Sequence, residues 1–505
     1  MRKINIMMLI SAVVVTSICF GQTSPLNKTQ LAQKTDSAIK VIMERIPVVP
    51  GLSISLVDEN GALLTKGYGW ADKEANIKAN ENTLFYIASN TKAFTALAAA
   101  MLDQEKKILL DSPFKKYFPA IQFKNNIRND ITNRQLLTHT SGIQNNPMVF
   151  RMAFSGDVEN QAMLRLLGDA SKTVTEPGVF AYDNLGYNIY GLALQEHLHK
   201  KWQDVLQEKI FTPLGMNRTT AYISLAEKNK WQIAAPYDGL APKGLTKLYI
   251  TKKDNTMQSA GGLVTTASDI SRWLQVQINQ GKLNNKQVFP AELIKATQTG
   301  FVAYEKGPGP TPTGKYALGW NISKYETEDF IFHFGGYPGY KSHISFMPGK
   351  KIGLAIFVNE GGIGGGLADV VATYIYDLVR GATDADQSFA KKVEQLESMS
   401  QKEAESIQKS FVSRASRTSQ LTLPLNAYTG TYRNEWYGDV VVTVDNNSLA
   451  VRFGNLYAVS TPFTEKETIR VELIPAQGRV VSFQSGDEGK INSLVFDKEE
   501  YKKMK

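Results

Sequence analysis

Residues 51–58 alternate as a β-strand, Asn60-Gly61 is a hairpin turn signal, and residues 62–70 return as a second strand. The next long strand-rich stretch comes only at residues 315–359, which read as three strands separated near 324–329 and at Pro348-Gly349. Between them, residues 83–124 read as strand, helix and loop, and residues 130–260 hold several helices. Residues 265–280 form another helix with Asp269 in its first turn, and a further helix follows at 367–379. A helical lead-in over 22–50 precedes the first strand. Strands at the two ends of one stretch, with helices between, give an α+β fold: an antiparallel sheet flanked by helices.

The remainder of the chain has a different pattern. Phe389, Val393, Leu396, Ile407 and Phe411 fall near helical spacing among Lys, Glu, Gln and Ser, so residues 384–424 read as a helical linker. Residues 425–505 carry only short β patterns with turn residues between them, which predicts a small all-β, barrel-like C-terminal domain. The 22–383 segment is then the main domain. At the start, Arg2 and Lys3, the apolar run 6–20 and Cys19-Phe20-Gly21 read as a signal peptide over 1–21. That places the mature protein in the periplasm or outside the cell, with no stable membrane span left. Lipidation at Cys19 is disfavoured because Ile18 precedes it where a small residue belongs.

Hydrophobic residues make up 43% and charged residues 21%, values of a packed protein, which excludes disorder as the main state. The formal net charge of +9 is scattered and forms no Lys/Arg block, so nucleic acid is not a predicted partner. The single Cys lies in the leader, which leaves no thiol nucleophile and no Cys-ligated metal. No metal and no cofactor are predicted.

Ser-x-x-Lys occurs at Ser37, Ser89, Ser112, Ser388 and Ser406. Only Ser89 lies where an apolar run (84–88) meets an Ala- and Leu-rich helix (93–102). Residues three apart share a helix face, so the Lys92 amine can reach the Ser89 hydroxyl. A helix N-terminus supplies free N–H groups and a positive field for an oxyanion. Serine needs a neighbouring base, and a desolvated lysine can be one. Taken alone, the tetrad also fits a serine N-cap followed by an exposed lysine.

Two more clusters fit the same chemistry. In Tyr182-Asp183-Asn184, a phenol can shuttle a proton and an amide can orient the lysine or hold a substrate carbonyl. Alone, the pair reads as a buried tyrosine and a turn asparagine. In His333-Phe334-Gly335-Gly336, glycines on a strand let a substrate lie close, Gly336 offers a second oxyanion N–H, and His333 offers a polar contact. Alone, this is a histidine at a strand end before a glycine turn.

Ser89-x-x-Lys92, Tyr182-x-Asn184 and His333-x-Gly335, in that order, resemble the class C β-lactamase and DD-peptidase superfamily of penicillin-recognising serine hydrolases. Leu136-Leu137-Thr138-His139-Thr140-Ser141-Gly142, Pro213-Leu214-Gly215-Met216, Ser259-Ala260-Gly261-Gly262-Leu263 and Leu318-Gly319-Trp320 are similar to that family's recurrent segments. The resemblance spans roughly residues 30–380. It implies Ser89 as acylated nucleophile, Lys92 and Tyr182 as bases and acids, and Asn184, His333 and Gly335 as substrate-binding residues. It implies an oxyanion hole from the N–H groups of Ser89 and Gly336.

Two positions depart from the family pattern. Asp183 replaces the usual Ser or Ala, and its carboxylate can pair with Lys92 and alter local pKa values. His333 replaces the lysine of true β-lactamases, and a histidine is mostly neutral at pH 7. The expected activity is an exported serine hydrolase of small esters or D-amino-acid amides and peptides, including those of cell-wall origin. The alternatives are a true class C-type β-lactamase, disfavoured by His333, and a non-catalytic penicillin- or wall-fragment-binding protein.

Other tempting patterns carry less. His139-Thr140-Ser141-Gly142 lacks the glycine that a nucleophile elbow needs before its serine. His197 and His199 lie among Gln195, Glu196 and Lys200 on a polar helix end. The glycine-rich stretch 361–366 has no full dinucleotide-loop register and reads as a loop near the site.

Overall fold

The computed structural model describes residues 27–156, 158–307, 311, 313–486 and 489–505. The leader expected at 1–21 lies outside them. Among the described residues no helix is long and apolar enough to cross a membrane.

The first and last strand regions of the main domain meet. Gly51–Asp58 pairs antiparallel with Ile352–Val358, from Leu52 opposite Val358 to Asp58 opposite Ile352. Gly61–Asp72 flanks it on one side. On the other side follow Tyr340–Met347, Glu328–Tyr337 and Asn321–Tyr325, and the described sheet has nine strands, all antiparallel. The sequence reading of 315–359 missed two divisions, one at 317–320 between Gly314–Tyr316 and Asn321–Tyr325 and one at 338–339. Residues 330–347 are a hairpin, turned at Pro338-Gly339 between the paired Tyr337 and Tyr340. Proline presets φ there, and Gly339 takes φ +81° at no steric cost.

The central strands Gly51–Asp58 and Ile352–Val358 are buried along their whole length because helices cover both faces. Leu354, Ile356 and Val358 pack against Ile39, Ile42, Leu367 and Val371 of helices Lys28–Arg45 and Gly364–Arg380. Ala355 and Phe357 point the other way, into the core containing Trp273 and Leu274 of helix Ala267–Ile278. That helix is capped as its sequence suggests, with the Asp269 N–H donating to Thr266 Oγ1 at 3.0 Å.

The linker is one helix, Ala385–Ala415. Its first half docks: Phe389, Val393 and Leu396 are buried, and the Phe389 ring lies 4.5 Å from that of Tyr374. Phe411, in its second half, is 38% exposed, so the apolar stripe read from the sequence is covered only in part. Beyond it, strands from Gly430–Asn434 to Glu499–Lys503 form a second antiparallel sheet, curled into a nearly closed barrel. The Phe453 ring of this barrel lies 5.0 Å from Phe150, and the Asn455 N–H donates to Ser155 O at 3.1 Å. The segment 146–155 thus lies between the barrel and the end of strand Glu328–Tyr337. There Phe154 stacks 6.0 Å from Tyr337, whose hydroxyl donates to Ala153 O at 3.0 Å.

Candidate active site

Ser89 sits in a single 3-10 turn, Ala88–Asn90, that leads directly into helix Thr91–Gln104. The strand expected before it is short: Phe85–Tyr86 pair with Val264–Thr265, and Leu84 bridges to Ile233. Ala88 is held at φ +43°, a conformation a non-glycine residue adopts only under tertiary constraint. Helix residues 91–102 are all buried, so Lys92 points its amine into protein rather than water.

Three groups surround that amine. It lies 3.1 Å from Ser89 Oγ, 2.7 Å from Asn184 Oδ1 and 2.8 Å from Ala260 O. Burial lowers the Lys92 pKa to about 7, with the nearby Asp183 charge acting in the opposite direction. Asn184 Oδ1 and Ala260 O can only accept hydrogen bonds. A neutral Lys92 gives them its two N–H bonds and keeps its lone pair for the Ser89 hydroxyl.

Tyr182 lies across the amine, with Lys92 Nζ 5.0 Å from its ring centroid. Although 47% of Tyr182 is exposed, lost solvation pushes its phenol pKa up, and a hydrogen bond with Ser89 eases this. Of the two groups, Lys92 is the one ready to take a proton near neutral pH. Asp183 makes no ion pair with Lys92 among the described residues. Its Oδ1 instead accepts the Leu185 N–H at 2.6 Å, at the start of helix Leu185–Leu198.

His333 is 2% exposed and both ring nitrogens are committed to protein. Phe334 O can only accept, so Nδ1 carries the proton toward it at 2.8 Å, and Nε2 accepts from the Tyr316 hydroxyl at 3.2 Å. Burial lowers its pKa to about 3, with Lys92 adding to the effect, so the ring is neutral. His333 therefore lines the wall without bringing a charge to it.

Gly335 explains how strand and nucleophile come together. A Cβ on it would lie 2.1 Å from Ile87 O. With no side chain there, the strand rests against the Ser89 turn. Ser342 on the neighbouring strand donates to Ile87 O at 2.8 Å, and Asn90 contacts Ser342 Oγ at 2.7 Å. With its amide turned to satisfy both ends, Asn90 also donates to His333 O at 2.9 Å and accepts from Gly335 N at 3.3 Å. Gly319 plays the same part behind Lys92: a Cβ there would meet Ala93 Cα at 2.6 Å.

Four contributors were not singled out as site residues from the sequence: Asn90, Ala260, Ser342 and His139. His139, at φ +59°, is wedged 4.4 Å from the Tyr182 ring and accepts the Asp183 N–H on Nδ1 at 3.2 Å. It holds Tyr182 rather than serving as the base of its own Thr-Ser-Gly run. Its one sequence signal was its place in the 136–142 segment. A cleft of about 510 Å³ opens onto this group, lined among others by Ser89, Tyr182, His333, Gly336, Lys341 and Asp369.

Residues 37–371 match the family model described as Beta-lactamase. The chain belongs to the Beta-lactamase family. The C-terminal residues 414–505 match a second family, a domain of unknown function (DUF3471). Protein flp of Staphylococcus aureus (strain MW2) is 27% identical over 315 residues, which is 62% of this chain and 60% of that protein. The chain thus matches three fifths of that relative's length. Unguisins hydrolase ungD' of Aspergillus campestris is 25% identical over 434 residues, 79% of this chain and 75% of the relative. Among solved structures, the octameric penicillin-binding protein homologue from Pyrococcus abyssi superposes with a TM-score of 0.58 at 24% identity, covering 93% of this chain and 99% of that one. The D-amino acid amidase from Ochrobactrum anthropi SV3 superposes with a TM-score of 0.56 at 21% identity, covering 70% and 99%. These likenesses agree in fold: a β-lactamase-type serine hydrolase domain, here followed by the barrel.

Proposed function

We propose that this protein is an exported serine hydrolase that forms an acyl-enzyme on small esters or D-amino-acid amides and peptides. The observation that carries this reading is the Lys92 amine, held by two obligate acceptors with its third direction toward Ser89 Oγ. In this reading neutral Lys92 takes the Ser89 proton as Oγ bonds to the substrate carbonyl carbon. The N–H groups of Ser89 and Gly336 hold the oxyanion. The C–O or C–N bond then breaks, and the leaving group departs with the proton passed on through Lys92 or Tyr182. A water, deprotonated by the same groups, splits the acyl ester and returns the proton to Ser89.

The neutral His333 supports esters and amides over β-lactams, because the family's cation at that position is missing. The D-amino acid amidase among the structural neighbours is in keeping with amide substrates. The basic and apolar leader sequence supports export. Hydrolysis of p-nitrophenyl butyrate beside a chromogenic cephalosporin, by wild type and Ser89→Ala, tests the proposal. Ester turnover that vanishes in the variant and exceeds cephalosporin turnover is expected. Equal turnover by the variant, or a dominant cephalosporin activity, overturns it.

A further inference from the structure

Of the two acceptors that hold the Lys92 amine, Asn184 is a side chain at the start of helix Leu185–Leu198. Ala260 O is a main-chain atom of the short helix Gln258–Gly261. The last carbonyls of a helix have no partner inside it. Here two of them turn to one face of helix Thr91–Gln104. Ser259 O accepts from Thr95 Oγ1 at 2.8 Å, and Ala260 O accepts from Lys92 Nζ at 2.8 Å. Lys92 and Thr95, three residues apart, are neighbours on that face.

The chain enters this short helix through a backbone that resists it. Met257 is held at φ +62° and Gln258 at φ +47°, two left-handed residues in succession and neither of them glycine. In that conformation the β-carbon crowds the following carbonyl oxygen, so outside contacts must hold it. The Met257 N–H donates to Met152 O at 2.8 Å. The buried Trp202 ring donates through Nε1 to Gln258 Oε1 at 2.9 Å. Gly262 makes room for this indole, because a Cβ there would lie 2.8 Å from Trp202 Cη2. Downstream, the Leu263 N–H donates to Thr91 Oγ1 at 3.1 Å, on the helix that carries Lys92. Neither Trp202 nor Gln258 is among the residues lining the cleft.

We propose that Trp202 and Gln258 are positioning residues, whose mutual hydrogen bond holds the left-handed turn that aims Ala260 O at the Lys92 amine. The catalytic consequence rests on the hydrolase reading above and adds to it two residues that touch no substrate. Without the bond, Gln258 relaxes to a right-handed backbone, the peptides after it rotate, and Lys92 loses an acceptor. A carbonyl holds an ammonium more tightly than an amine. Its loss therefore makes Lys92 a weaker base and leaves the lone pair without a fixed aim at Ser89.

The test reads Lys92 directly, by carbon NMR of protein carrying 13C at the lysine Cε, with Lys92→Met identifying the signal. In Gln258→Leu the titration midpoint of Lys92 is expected to fall by about half a pH unit or more. The acidic limb for p-nitrophenyl butyrate moves down with it, and kcat drops about tenfold at unchanged KM. Trp202→Phe keeps a ring, loses the donor and is expected to match Gln258→Leu. Gln258→Gly lacks the same bond but takes a positive φ without strain, so it is expected to recover more than half of both shifts. Circular dichroism checks that each variant is folded. Where Gln258→Leu does not fold, Trp202→Phe alone and combined with Gln258→Gly give the same comparison. A Lys92 midpoint that stays in place without the bond, or a shift equally large with glycine at 258, overturns the proposal. The NMR midpoint needs no turnover. If wild type hydrolyses no ester, the hydrolase reading fails by itself and the Lys92 titration still decides on the turn.

Discussion

Lys92 Nζ lies 3.1 Å from Ser89 Oγ, and the lysine is completely buried. Its pKa of about 7 makes the unprotonated amine available at neutral pH. The pH profile of kcat/KM is expected to rise through an acidic limb near 7, because only neutral Lys92 can take the serine proton. A limb centred well below 6 would assign the base elsewhere. Ser89→Ala is expected to cut turnover by at least about 10³-fold. The depressed pKa also has a stability consequence. Between about 7 and the ordinary 10.5, only the unfolded chain binds the extra proton, so the contribution of Lys92 to stability grows as pH rises across that window.

Asn184 fixes the amine through Oδ1 at 2.7 Å. Asn184→Ala frees the lysine and is expected to lower kcat on the order of 10²-fold. Asn184→Asp places a carboxylate on the amine and stabilises its proton, so the acidic limb moves to higher pH. Profiles of the two variants that overlay would show that Asn184 acts on substrate alone.

His333→Lys is expected to destabilise the protein rather than convert it to a β-lactamase. The position is 2% exposed, already occupied by a ring bonded to Tyr316 and Phe334 O, and close to Lys92. A second buried cation there costs on the order of 2–5 kcal/mol. The check is thermal unfolding together with cephalosporin turnover. A stable variant with new cephalosporin turnover would contradict the account.

Gly335→Ala forces strand and nucleophile turn apart, because the added Cβ meets Ile87 O at 2.1 Å. A shift of about an ångström at the site costs about 10² in rate. The expected result is that loss in kcat/KM with a folded protein by circular dichroism.

Phe453 is 2% exposed and reaches Phe150, in the segment whose Phe154 supports Tyr337. Phe453→Ala is expected to cost about 3–5 kcal/mol of barrel stability. It should also alter KM for esters through the loosened strand end. Unchanged KM in the variant would separate the barrel from the cleft.

Ser89 and Lys92 were singled out by their spacing at a helix start, and Tyr182, Asn184, His333 and Gly335 by their resemblance to a family's motifs; the structure brings these residues together around one cleft. Ala260 O was not, because a carbonyl acceptor has no side-chain signature and reaches Lys92 only through the tertiary fold. The same holds for Ser342 and Asn90, which bridge strands and turn across more than 250 residues of sequence. Asp183 was read as a partner for Lys92, but a free N–H two residues along the chain was nearer. The α+β sheet was legible from its edge-to-edge strand pattern. The hairpin through Pro338-Gly339 was not divided in the strand reading of 330–347, because Tyr337 and Tyr340 on either side of the turn read as strand residues.

The pairing of Gly51–Asp58 with Ile352–Val358 has a temporal meaning for a chain made from its N-terminus. When the ribosome has passed Gly336, each candidate residue from Ser89 onward already exists, yet the sheet has no strand to join its two ends. A nascent chain halted before residue 352 carries every candidate site residue but lacks the strand that pairs with both Gly51–Asp58 and Tyr340–Met347. The candidate site residues are thus made before the strand that closes the sheet, and their arrangement around Ser89 waits on Ile352–Val358.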